Sequence, residues 1–178
     1  HVTGVQTCAL PISDLSSHLV AITTGFSGTD VLLFGATNGP GDIAVVVRGP
    51  AEDAVIRRKG RAGPIWVNAD QITWREVPSY YRIASSRPLD QFAPPSLLSR
   101  YQIGIENIHM VPDQQNVPAD IVATFRQNFV RLKTKASLYD QSLGSVNLMS
   151  NRLFRTELHF PANVPTGTYL VEVDRKST

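Results

Sequence analysis

Residues 165–173 read Pro165-Thr166-Gly167-Thr168-Tyr169-Leu170-Val171-Glu172-Val173. A proline and a glycine open the stretch, and apolar residues then alternate along it, as in a strand with one buried face. This is the clearest strand in the chain.

Working outward, the same signals recur at short intervals. His18–Thr23, Val31–Ala36 and Ile43–Val47 are strand-like runs. Gly25–Asp30 and Asn38–Asp42 separate them with turn-forming residues, and Gly49-Pro50 closes the third. Spacing of 8–12 residues leaves no room for a crossover helix, so the reading is an antiparallel sandwich, with 25–30 as a hairpin. Ala54–Lys59, Ile65–Asn68, Ile72–Trp74 and Ser79–Ser85 add further short strands, with Pro78 and Pro88 at edges. Within this setting the order Gly167, Tyr169, Val171 resembles the tyrosine corner of immunoglobulin-like sandwiches. There the tyrosine hydroxyl ties the chain back to its own backbone, and the residue two further on enters the core.

The middle of the chain changes period. Pro94–Tyr101 suits a short helix with proline in its first turn. Pro118 and Asp120 then open a longer one. Ile121, Val122, Phe125, Phe129, Leu132 and Ala136 recur at spacings of three and four, a single apolar stripe expected to pack on the protein's own sheet. Arg126, Arg131, Lys133 and Lys135 occupy the other positions. Strands return at Ser145–Met149 and Leu153–Phe160.

The ends read differently. Residues 1–12 lack the basic start and unbroken apolar core of an export signal. Write Cys8-Ala9-Leu10-Pro11-Ile12 as TGT-GCT-CTT-CCG-ATC. The reverse complement, GAT-CGG-AAG-AGC-ACA, translates as Asp174-Arg175-Lys176-Ser177-Thr178. One short duplex read on both strands thus encodes both ends, and it resembles a common sequencing adapter. Residues 1–13 and 174–178 are therefore read as adapter-derived, and 14–173 as a fragment. Its parts are an N-terminal sandwich region over 14–93, a helical insertion over 94–137 and completing strands over 138–173. Cys8 leaves the argument with the artefact, and thiol chemistry goes with it.

Composition narrows the function classes. The formal charge of +2 falls by one without the terminal Asp174, Arg175 and Lys176. That is no electrostatic footprint for nucleic acid, and no nucleic-acid partner is expected. The histidines of the fragment, His18, His109 and His159, have no ligand-like spacing. Gly25–Asp30 lacks the lysine and the following helix of a phosphate-cradling loop, and no G-x-S-x-G elbow occurs. The basic run Arg57, Arg58, Lys59 and Arg61 lies near Trp66 and Trp74, and is read as a solvated strand end beside core tryptophan. No catalytic, cofactor-binding or metal-binding residue is assigned, and no cofactor is expected.

Several stretches carry a family resemblance. Asp14–His18 through Leu32–Ala36, Ile65–Asn68, Val77–Tyr81, Ala84–Leu89 and Pro165–Tyr169 are similar to the alphaproteobacterial putative transmembrane protein family, whose activity is uncharacterised. The resemblance implies a signal peptide, a periplasmic body and a C-terminal membrane helix in the inner membrane. Both flanking segments fall outside this fragment, and a membrane protein partner is allowed.

The expected architecture is mainly β, an immunoglobulin-like antiparallel β-sandwich with a helical insertion. The alternative is α+β, with two small β units bridged by helices. The expected function is a non-enzymatic binding or structural module, anchored in the membrane. Alternatives are an enzyme or metal-binding protein whose site assembles from loops, and an accessory subunit of a membrane transporter.

Overall fold

The computed structural model describes residues 15–177 apart from 38, 40, 63, 64 and 151, so residues 1–13, expected to be adapter-derived, lie outside the described residues. Strand accounts for 48% and helix for 21%, which makes the protein mainly β. Seven strands form one sheet in the order β1-β10-β3-β6-β8-β9-β2. They are β1 (Leu15–Ile22), β2 (Thr29–Ala36), β3 (Gly41–Arg48), β6 (Tyr81–Ser85), β8 (Gly144–Met149), β9 (Leu153–Phe160) and β10 (Gly167–Ser177). A second, three-stranded sheet holds β4 (Ala51–Ala62), β5 (Ile65–Pro78) and β7 (Val111–Pro112). The helices are α1 (Leu89–Phe92), α2 (Pro95–Arg100) and α3 (Ala119–Lys135), with a 3-10 turn at Ile105–Asn107.

The larger sheet folds over itself as a sandwich. Inward residues of β3 and β10 (Val45, Val47, Tyr169, Val171) share one core with Phe154, Leu158 and Phe160 of β9. Among the described residues, the two halves pair at Ala84↔Gly144 and Ser85↔Ser145, where β6 and β8 run parallel. A parallel pair needs a long crossover, and here the helical region supplies it. That region begins at α1, earlier than the expected 94.

Tyr169 confirms the corner read from the sequence. Its hydroxyl donates to the Pro165 carbonyl at 2.6 Å, and Val171 is buried two residues on. Gly167 has φ +146°, and a Cβ there would meet Pro50 Cγ at 2.9 Å, so the corner requires glycine twice over.

The expected hairpin at 25–30 is not one. β1 pairs with β10 and β2 with β9, so the segment arches between the two halves of the sandwich. Glycine and serine mark a reversal but do not say which strand receives the chain. Here Phe26 packs against the sandwich core from the arch, which favours crossing over pairing. The short strands read over 54–74 are likewise one long hairpin, β4–β5, with register shifts between Glu52/Ala54 and Arg58/Lys59. Those irregularities break the alternation that a sequence reading follows.

A second core lies on the opposite face of β3 and β6. Ala44, Val46, Tyr81 and Ile83 pack there against Trp74 of β5 and Phe125 and Phe129 of α3. Helix α3 ends in a Schellman pair: Leu138 N–H donates to the Lys133 carbonyl at 2.9 Å and Ser137 N–H to the Thr134 carbonyl at 2.9 Å. Ser137 takes the left-handed position, φ +59°. The helix packs on its own sheet as expected, but Leu132 is 48% exposed and Val130 takes part in its place.

Four buried tyrosines tie these layers to the main chain. Tyr80 donates to the His159 carbonyl (2.6 Å), Tyr81 to Gln102 (2.8 Å), Tyr139 to Pro78 (2.7 Å) and Tyr169 to Pro165. Tyr80 stacks on Phe160 in the sandwich core, while its neighbour Tyr81 meets Tyr139 in the second core.

Two outcomes follow from this. Tyr169→Phe leaves the Pro165 carbonyl without its donor and is expected to cost about 1–3 kcal/mol, read as a lower urea midpoint at constant slope. An unchanged midpoint would show that the corner hydrogen bond contributes nothing to stability. Burial raises Tyr80, Tyr81 and Tyr169 to about 12 and Tyr139 further. A phenol held protonated by the fold favours folding below the unfolded pKa of about 10, and that advantage is lost as pH rises through the folded values. Unfolding free energy should therefore fall steeply from about pH 10 towards about pH 12, less steeply in Tyr139→Phe. A flat profile over that range would contradict the assignment.

Candidate binding groove

Positions 126, 130, 134 and 127, 131, 135 of α3 are spaced by four, so they form two adjacent rows along the helix. The rows line one wall of a groove of about 830 Å³. Its other walls come from Ile83 of β6, Leu89 of α1, Gly104–Glu106 at the 3-10 turn, and Asp140, Gln141 and Leu143 before β8. The volume falls within the roughly 300–1,000 Å³ of small-molecule sites. The groove exists because α3 lies over the outer face of β6 without covering it fully.

Arg126 fixes the geometry. Its Nη2 donates to the carbonyls of Glu106 (2.8 Å) and Ile108 (2.9 Å) and lies 3.4 Å from that of Ile105. A cation against the open carbonyls of a helical turn is favourable, and here it fastens the turn to α3. Asp140 is also held: Arg82 Nη1 approaches it at 3.1 Å, and the Ser142 hydroxyl and N–H both donate to it. Glu106 lies beside Gly104 and accepts from Asn107 Nδ2 at 3.3 Å.

Three groups in the lining are not engaged in this way. Arg131 and Lys135 are exposed and form no ion pair with a described residue. The Thr134 hydroxyl oxygen is buried with no hydrogen-bond partner among the described residues. The next residue of α3 with a cation, Lys133, turns away from the groove. Its side chain is 13% exposed, it pairs with Glu52, and its Nζ donates to the Ser79 carbonyl at 3.2 Å.

The residues singled out from sequence lie elsewhere. His109 is exposed, and its main-chain N–H donates to Gln102 Oε1 at 3.0 Å. His159 Nδ1 lies 2.6 Å from Asp30 Oδ1, a cross-strand pair with both side chains more than half exposed, a setting in which an ion pair contributes little. His18 sits in β1 opposite Val171, and its side chain is outside the described residues. Among the described residues, no group of three or more His, Cys, Asp and Glu is placed to hold a metal. Gly25–Asp30 joins strand to strand, as its sequence required of anything but a phosphate loop. Arg58 pairs with Asp70 and Arg57 Nε reaches Gln71 Oε1 at 3.4 Å, while Trp74 is fully buried with no acceptor for its indole N–H among the described residues. The side chains of Arg61 and Trp66 are outside the described residues.

The groove was not read from the sequence. Its walls span residues 83–143, and the only local sign was the basic side of α3.

No helix among the described residues is long and apolar enough to cross a membrane. No curated protein and no solved structure matches the chain. A family model does, over residues 12–174, and its description is "Putative transmembrane protein (Alph_Pro_TM)". The match takes in every strand and helix described above except the last residues of β10, and the chain belongs to the family so described.

Proposed function

We propose that this chain is the body of a membrane-anchored protein, faces the periplasm, and acts as a non-enzymatic binding or structural module. The groove beside α3 is the observation that supports this reading most. Its polar groups are amides, a hydroxyl, cations and carboxylates, and Arg126 and Asp140 are already committed to holding the walls in place. Such a lining positions a ligand. Preformed walls also reduce the ordering cost of binding. Membership of a transmembrane family supports the anchor, and the two-layered body supports a rigid platform next to it.

The test is a fusion in the full-length protein. Alkaline phosphatase, inserted directly after Val173 with everything downstream retained, folds only where disulfides form, so it is expected to be active in intact cells, in the membrane fraction. Inactive phosphatase together with a fluorescent cytoplasmic reporter at the same junction would overturn the periplasmic placement. Active phosphatase in the soluble fraction would overturn the anchor.

A further inference from the structure

We infer that the groove beside α3 binds an acyl chain with an anionic head group, an inference that rests on the binding-module reading. Two properties of the groove carry it, and neither suffices alone. The floor is apolar: Ile83 is 4% exposed, and Leu89, Ile105 and Val130 pack around the second core. Leu143 extends this surface to the open side, where it is 41% exposed. A chain lying there removes apolar surface from water, at roughly 25 cal/mol per Å².

The rim adds a positive balance of charge. Arg131 and Lys135 lie one helical turn apart, both exposed and both without an ion-pair partner among the described residues. Arg126 stands one turn before Val130 in the neighbouring row, its guanidinium hydrogen-bonded, among the described residues, to neutral carbonyls. Against these three cations the rim sets Glu106, since the Asp140 charge is met by Arg82. The balance favours an anion. A bare anion would leave the floor wet, and an uncharged chain would leave the rim cations without a counter-charge. An anionic amphiphile satisfies both.

Calorimetric titration of the purified chain with dodecanoate, dodecanol and acetate, each below its aggregation concentration, tests this. Dodecanoate is expected to bind saturably, and more tightly than either other probe. The double variant Arg131→Glu/Lys135→Glu should weaken dodecanoate about tenfold or more, as the loss of two exposed charge contacts implies, and leave dodecanol unchanged. Leu143→Asp, at an exposed position, should weaken both. Melting temperatures near that of the parent establish that each variant is folded. Dodecanol or acetate binding as tightly as dodecanoate, or a double variant that binds dodecanoate undiminished, overturns the inference. So does the absence of dodecanoate binding, which leaves the placement of the body to be judged by the phosphatase fusion.

Discussion

The structure depends on one strand being buried on both sides. From Ile43 to Val47 every residue of β3 is at most 2% exposed. Alternate side chains leave a strand in opposite directions, so Ile43, Val45 and Val47 enter the sandwich core while Ala44 and Val46 enter the second. Burying a valine or isoleucine side chain contributes about 1.5–3 kcal/mol, and β3 does this towards two cores at once. The entry to its neighbour β6 repeats the device with aromatics, Tyr80 lying just before the strand and Tyr81 opening it. Tyr80 and Tyr81 are consecutive, and each belongs to a different core. Each phenol then donates to a main-chain carbonyl in its own layer, so large side chains are buried without orphaned hydroxyls.

The groove is a consequence of that wall. The crossover between the parallel strands β6 and β8 must pass over the outer face of the sheet, and α3 is its longest piece. Phe125 and Phe129 anchor the helix to β3 and β6, and Arg126 anchors the 3-10 turn to the helix. What remains between these fixed parts is a recess with an apolar floor and a basic rim. Its shape follows from how the core is packed, and the exposed cations on its rim are not needed for that packing.

Much of the fold was legible because its causes are local. Pro165–Val173 announces its strand and its corner through Gly167 and Tyr169, and the hydrogen bond to Pro165 spans only four residues. Ile43–Val47 reads as a strand, and its unbroken apolar run is the mark of burial on both faces. Phe125 and Phe129 follow from helical spacing. What sequence did not reveal is non-local. Turn residues at 25–30 predict a reversal but not its destination, and the arch is decided by β10 and β9, more than 120 residues away. Leu132 fits the stripe by spacing yet faces solvent, because Val130 is the residue turned to the packed side. The groove brings together positions from Ile83 to Leu143 through a crossover that no short window contains.

Shared by both cores, β3 and β6 make them one cooperative unit. Native-state hydrogen exchange across β3, β9 and α3 tests it most directly. The slowest amides of all three should exchange with the same free energy, that of global unfolding, and Val45→Ala and Val46→Ala, on opposite faces of β3, should lower it together in all three. A sub-global opening that exposes α3 while β9 stays protected, with Val46→Ala affecting α3 alone, would contradict it.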